Sequence, residues 1–272
     1  MSEPPLQLVL PMAGRGSRFI KAGYSLPKPL LPVHGFPMFS IVLANLWTIE
    51  LATVVLVTQR SLNLKESVSR IRSLTGIEVE LVEIDYVTGG AADSVDLARD
   101  FLDPDLPLVT ANSDQYVDAS LDPFFAQLQV PGVAGCMLTM QDSDPKWSYA
   151  QVDAAGYVSR VVEKRVISKF ATVGIYGFAS AGLAFNAFDA MRMAGDSVNG
   201  EYYIAPAYNQ MIEQGFLVTS YDLGPIMNSM HGMGIPHDYE TFLMDPASRR
   251  AADKAKTVFG GQSDPGDEIT RT

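Results

Sequence analysis

Residues 8–33 read LVLPMAGRGSRFIKAGYSLPKPLLPV, and the first half of that stretch decides the fold. Leu6–Pro11 (LQLVLP) is a short apolar run ending at a Gly-rich loop, the pattern of a buried strand. A strand feeding such a loop can present backbone N–H groups to a phosphate, because glycine tolerates positive φ and close approach. The loop is not the dinucleotide fingerprint, since Phe19 stands where GxGxxG needs its third glycine. No Gly-Lys-Ser/Thr follows to make a P-loop. Arg18 follows instead, and then Lys28 between Pro27 and Pro29, whose fixed φ holds a cation at a set distance from the loop. Met12–Pro29, rich in Gly and Pro, is expected to carry no helix. Taken alone, the loop reads equally well as a phosphate cradle or as a glycine turn with two surface cations.

Outward from the loop, strand and helix patterns alternate. Met38–Ile49 has helical apolar spacing, and Thr53–Thr58 (TVVLVT) reads as a second strand. Leu64–Leu74 is helical, Glu78–Ile84 a third strand, Ala92–Phe101 helical and Leu108–Ala111 a fourth strand. That alternation implies an α/β domain with a mostly parallel sheet, in which ligands sit at the carboxyl ends of the strands. The loops after Pro11, Ile84 and Ala111 would then share one edge. The second half is richer in strands, at Gly135–Met140, Tyr149–Asp153, Val158–Glu163, Ala171–Phe178 and Phe216–Asp222, with Asp153–Gly156 a hairpin turn. Helices are expected over Ala181–Met193, Ile204–Gln214 and Ala247–Phe259. The reading is one domain over 1–245, with 246–272 a C-terminal helix and a polar, turn-rich tail expected to be disordered.

Composition bounds the class. The chain has 272 residues, 47% hydrophobic and 19% charged, enough to bury a core and too apolar for a disordered chain. No 18-residue apolar span or signal-peptide pattern is present, so neither a membrane nor export is expected. The single Cys136 forms no internal disulfide and no cysteine metal cluster, consistent with a reducing, cytoplasmic setting. With 20 basic and 31 acidic residues the net charge is −11, a poor match to nucleic acid. Yet Pro4–Ile49 contains no Asp or Glu while holding Arg15, Arg18, Lys21 and Lys28. A cationic island on an anionic chain points to a small anionic ligand.

The loop and the proline-flanked lysine segment after it resemble the nucleotidyltransferase family that includes the sugar-1-phosphate nucleotidyltransferases. Its strand, G-x-G-[ST]-R-[LFM] loop and PK-P-L-[LV]-P segment are matched by Gly14, Gly16, Ser17, Arg18, Phe19, Pro27, Lys28, Pro29, Leu30 and Pro32. Later motifs match in order: TGGAADS (88–94), ANSDQYVD (111–118), VVEKRVISKFATVGIYGF (161–178), NGEYYIAPAYNQMIEQG (199–215) and MHGMGIPHDYETF (230–242). Several of these strings look most like small bacterial enzymes of surface-polysaccharide (capsule) gene clusters, of the CTP:phosphoglutamine cytidylyltransferase type. The resemblance implies a Rossmann-like three-layer α/β/α fold with a mostly parallel mixed sheet, like that of the nucleotide-diphospho-sugar transferases.

It also implies Mg²⁺-dependent attack of an acceptor phosphate on the α-phosphorus of a nucleoside triphosphate, with pyrophosphate leaving. Such chemistry rests on positioning and charge neutralisation. The partners implied are a nucleoside triphosphate, a small phosphorylated acceptor and, optionally, further copies of the chain. Arg18, Lys28 and Asp114 would be the catalytic groups, with Arg15 assisting. Ala13, Gly14, Arg15, Gly16 and Ser17 would cradle the triphosphate, and Gly89, Gly90 and Ala91 would lie under a pyrimidine base, with Asn112 nearby. CTP is favoured by the subgroup, while UTP and dTTP stay open. Glu163 would bind acceptor hydroxyl or amine groups beside Lys164, and Gly174, Trp147, Ser148, Tyr149, Glu201 and Tyr202 complete the acceptor side; core packing is an equal reading for the aromatics. Asp114 is the expected Mg²⁺ ligand. The family's second aspartate, in a D-x-G-T segment, is Gly232 here, leaving Asp238, His231 or a water as the second ligand. Two alternatives stand beside this reading: a glycosyltransferase, which would leave Arg18 and Lys28 without a role, and a non-catalytic nucleotide-binding relative.

Overall fold

The computed structural model describes residues 5–47, 51–226 and 229–260. In chain order the strands are β1 (Leu6–Met12), β2 (Pro32–Val33), β3 (Phe36–Pro37), β4 (Leu51–Gln59), β5 (Glu78–Ile84), β6 (Leu108–Ala111), β7 (Gln115–Val117), β8 (Val133–Gln141), β9 (Ser148–Val152), β10 (Val158–Glu163), β11 (Phe170–Phe178), β12 (Leu217–Pro225) and β13 (Met230–Gly232). The helices are α1 (Ser17–Lys21), α2 (Met38–Leu46), α3 (Lys65–Thr75), α4 (Ala91–Asp96), α5 (Asp122–Gln127), α6 (Ala181–Ala194), α7 (Ile204–Glu213), α8 (Pro236–Met244) and α9 (Pro246–Phe259).

The central sheet is mixed. β6, β1, β4 and β5 lie side by side and parallel. β11 is antiparallel to β6, to β8 and, at its start, to β9; β8 pairs in parallel with β12, and β9 with β10 as an antiparallel hairpin. β1 shows why this sheet needs cover on both faces. Leu8, Leu10 and Met12 enter one apolar layer while Val9, and Ala13 just beyond it, enter the other. The first layer is closed by α2, α3, α5, α8 and α9, the second by α4, α6 and α7. Each fully buried leucine or valine contributes about 1.5–3 kcal/mol, so a strand buried on both faces fixes itself at the centre. The result is the expected three-layer α/β/α architecture. No helix among the described residues is long and apolar enough to cross a membrane.

The alternation read from the sequence holds, with β5, β6 and β10 matching to the residue. The structure corrects it elsewhere. Met12–Pro29 does contain a helix, the single turn α1. Gly16, at φ 59° and ψ 26°, reverses the chain into it, and Phe19 is buried edge-on against Tyr24 (5.2 Å) and Tyr239 (6.0 Å). An isolated five-residue helix does not offset its nucleation cost; the aromatic contacts of Phe19 with Tyr24 and with Tyr239 of α8 stabilise this one. The helix expected over Ala92–Phe101 is split into α4 and a 3₁₀ turn at Arg99–Phe101. α5, α8, the β2–β3 hairpin and the β7–β13 pair were not foreseen. The end of the helix expected over Met38–Ile49 and the expected disorder over 261–272 lie outside the described residues.

Candidate active site

The parallel register brings the carboxyl ends of β1, β5 and β6 to one edge, and two adjoining cavities of ≈ 450 and ≈ 270 Å³ open there. After β1, the turn at Gly16 passes so close to Lys28 that a Cβ on Gly16 would lie 3.4 Å from the lysine Cβ. Lys28 begins a 3₁₀ turn between Pro27 and the buried Pro29, which fixes where its stem starts. Its Nζ reaches the Asp114 carboxylate at 2.7 Å, with both side chains about one-fifth exposed. Asp114 sits between β6 and β7; its carbonyl accepts from the Met233 N–H at 2.7 Å, and Gly234 leaves room for its carboxylate, since a Cβ there would lie 2.9 Å from Oδ2.

The loop after β5 is held from two sides. The Thr88 hydroxyl donates to the Gly90 carbonyl (3.0 Å) and shares a hydrogen bond with Ser94 (2.7 Å). Tyr202 N–H donates to the Gly89 carbonyl (2.8 Å) and Ala92 N–H to the Tyr202 carbonyl (3.0 Å). Gly90, at φ 145°, has the Tyr202 backbone where a Cβ would stand, so only glycine fits. Gln59, at the end of β4, ties the first two loops together, donating to the carbonyls of Ala13 and Tyr86 at 2.7 Å each.

The β9–β10 hairpin carries the other wall. The Glu163 carboxylate is buried and accepts a hydrogen bond from the Ser148 hydroxyl; burial outweighs that bond and the nearby Lys164, and pushes its pKa up. Lys164, at φ 54°, donates to the Tyr203 hydroxyl, which in turn donates to Glu201 at 2.5 Å. Burial pulls the Lys164 ammonium down, but Tyr203, Glu163 and Glu201 together outweigh it and leave its pKa raised.

Of the residues expected from sequence, Ala13, Gly14, Gly16, Arg18, Lys28, Gly90, Ala91, Asn112, Asp114 and Glu201 line the larger cavity. Trp147, Ser148, Glu163, Lys164 and Gly174 line the smaller one, together with Arg18, Ala91 and Asn112, which border both. Arg15 on the loop and Ser17 at the start of α1 are exposed, outside both linings. Gly89 and Tyr202 contribute backbone hydrogen bonds behind the wall. Tyr149 is a correction: its ring is fully buried in the core, its hydroxyl donates to the Asp144 carbonyl (2.8 Å), and burial pushes its pKa up to about 12. Asp238 lies in the first turn of α8 and lines a separate cavity of ≈ 280 Å³ with His231 and Gly232, whereas Asp114 lines the larger one. His231 packs its ring against Phe242 (5.3 Å) and Tyr116 (6.2 Å).

Sequence reading missed Gln115, Tyr203, Thr172 and Tyr176 on the smaller cavity. Gln115 directly follows Asp114 and Tyr203 directly follows Tyr202, so adjacency to named positions was the available signal. Among the described residues no histidine or cysteine lines either cavity, and no group of three or more His, Cys, Asp or Glu could cage a metal.

The family model "Nucleotidyl transferase" matches residues 8–225. The bifunctional protein GlmU of Burkholderia multivorans is 28% identical over 231 residues, covering 79% of this chain and 46% of its own length. The CMP-5'-(3-aminopropyl)phosphonate synthase of Streptomyces rubellomurinus is 38% identical over 111 residues, 39% of this chain and 17% of that protein. The chain thus spans about half the length, or less, of these curated relatives. A crystal structure of a nucleoside-diphosphate-sugar pyrophosphorylase from Vibrio cholerae RC9 superposes with a TM-score of 0.75 at 26% identity, covering 88% of this chain and all of that one. With the family model matched over residues 8–225, most of its length, this chain belongs to the nucleotidyl transferase family.

Proposed function

We propose that the chain transfers a nucleoside monophosphate from a pyrimidine nucleoside triphosphate, CTP before UTP or dTTP, to a small phosphate- or phosphonate-bearing acceptor. The observation that carries this is the pair of cavities meeting at Arg18, Ala91 and Asn112, one edged by the Lys28–Asp114 pair and the other by Glu163 and Lys164. Two anionic substrates need two adjoining basic sites. An acceptor oxygen attacks the α-phosphorus, the bond from that phosphorus to the oxygen bridging to the β-phosphate breaks, and pyrophosphate leaves. The attacking oxygen is already anionic, so no general base is required, in keeping with linings free of histidine and cysteine.

Arg18, bordering both cavities, stabilises charge at the transfer point. The backbone around Gly14–Gly16 cradles the triphosphate, Gly90 and Ala91 approach the base, and Lys164 neutralises the acceptor anion. The preference for CTP is supported by the sequence subgroup and by the similarity to a CMP-5'-(3-aminopropyl)phosphonate synthase. Asp114 suits Mg²⁺, a hard cation that takes one or two carboxylates and otherwise substrate oxygens and waters. Asp114 would hold it with Lys28 moving onto the phosphates, and bound Mg²⁺ supplies charge neutralisation on the triphosphate. A role in surface-polysaccharide synthesis in the cytoplasm remains part of the proposal.

The test is a melting panel with Mg²⁺ and CTP, UTP, dTTP, ATP or GTP, followed by pyrophosphate detection with acceptors. A ligand at about 100 times its Kd adds roughly 2.7 kcal/mol of stability. A shift with one pyrimidine nucleotide supports the reading; no shift and no pyrophosphate release with any nucleotide removes it.

A further inference from the structure

The smaller cavity contains more hydrogen-bond acceptors than the protein satisfies. Glu163, 5% exposed, accepts one hydrogen bond among the described residues, from Ser148. A carboxylate offers about four such sites. Gln115, 7% exposed, lines the same cavity, and its Oε1 is buried without a partner. Buried acceptors of this kind cost stability until a donor reaches them.

The charges of the cavity are also unbalanced. Lys164 lies 3.9 Å from Glu163 but is drawn to the Tyr203 hydroxyl and, through it, to Glu201. Lys146, on the same lining, is paired with Asp144 at 3.3 Å. Once Lys164 and Arg18 face the acceptor's anionic group, as the proposed function requires, Glu163 is left buried without a cation.

We propose that the acceptor brings that cation itself. It is a zwitterion, a phosphate or phosphonate bearing a primary ammonium group at its far end, and the ammonium seats on the Glu163 carboxylate, with Gln115 Oε1 available as a further acceptor. An ammonium supplies three N–H donors and a positive charge; a sugar hydroxyl supplies one donor, brings lone pairs of its own and leaves the charge of Glu163 uncompensated. The inference rests on the nucleotidyltransferase reading above and makes the smaller cavity specific.

The experiment measures kcat/KM by pyrophosphate release from the full chain with CTP and Mg²⁺. The acceptors are 3-aminopropylphosphonate, its length-matched neutral counterpart 3-hydroxypropylphosphonate, and glucose 1-phosphate. The amine is expected to be preferred by about 30-fold, the range of one charged hydrogen-bonded contact. In Glu163→Gln the preference should fall to within about threefold, while the melting shift given by CTP is retained. Equal or better use of the hydroxy compound or the sugar phosphate overturns the ammonium assignment and leaves the transferase reading standing. Failure to use the amine, with CTP still raising the melting temperature, overturns it too. If no nucleotide shifts the melting temperature and no acceptor releases pyrophosphate, the transferase reading itself has failed.

Discussion

Single side chains at the site divide into those that border both cavities and those that tune the wall. Arg18 is exposed and borders both cavities, so Arg18→Ala should lower kcat by about 10²-fold while leaving the melting temperature unchanged. Unaltered turnover would remove it from the transfer point. Glu163 gives a pH test in the ligand-free protein. Burial raises its folded pKa above the unfolded value, so the folded state binds the proton more tightly. Its cost is absent below the unfolded pKa, grows as pH rises from there through the folded pKa, and is fully present above it. Glu163→Gln should therefore melt higher than the parent at about pH 7.5 and level with it near pH 4. A difference between the two proteins that does not vary with pH would show that the carboxylate is not the desolvated group. That Arg18, Lys28 and Asp114 would gather at one cavity was legible because each sits in a motif that resembles the family's. Gln115 and Tyr203 were not, because their importance lies in what surrounds them once the chain is folded.

At the scale of elements, the loop after β5 and the loop before α7 act as one unit. The Gly89 and Ala92 backbones pair with Tyr202, whose neighbours Glu201 and Tyr203 hold Lys164. Gly90→Ala would place a Cβ into the Tyr202 backbone at a φ that L-residues avoid. We expect a loss of about 1–3 kcal/mol, together with a raised KM for both nucleotide and acceptor, measured by steady-state kinetics. A rise in one KM alone would show that the two loops are independent. The short β7 strand depends on a side chain in the same way. Asn45 on α2 donates to the Val117 carbonyl (2.8 Å) and accepts from the Val117 N–H (2.9 Å), in a fully buried setting. Asn45→Ala strands both backbone groups and should cost about 2–4 kcal/mol in denaturant unfolding. Such elements, like α1, are invisible to periodicity because they are shorter than the windows that reveal it.

At the scale of the molecule, α9 completes a layer of the fold. Ala247, Ala251, Ala255 and Phe259 are buried in the same core as α2, and Phe259 meets Trp47 edge-on at 5.5 Å. Arg250 pairs with Asp118 at the end of β7, so α9 also supports the strand that follows Asp114. Truncation after Asp245 should remove about 5 kcal/mol or more of apolar burial and lower the melting temperature by roughly 10–20 °C, read by circular dichroism. An unchanged melting temperature would make α9 an appendage to the domain.

The sequence by itself determined the α/β class with its mostly parallel sheet and the loop that opens the site. A strand buried on both faces must be continuously apolar, and a backbone that bends sharply to approach a phosphate calls for glycine; both demands are local and stay visible in the chain. It also placed Asp114 just beyond a strand end, and there it lines the larger cavity. Only the tertiary structure decided that Asp238 lies on a different cavity, that Tyr149 is core, and that Gln115 and Tyr203 line the smaller cavity. Those outcomes depend on which loops meet across an antiparallel hairpin and a crossover. Distance in space between residues far apart in sequence is set by the packing of whole layers, and no local pattern encodes it.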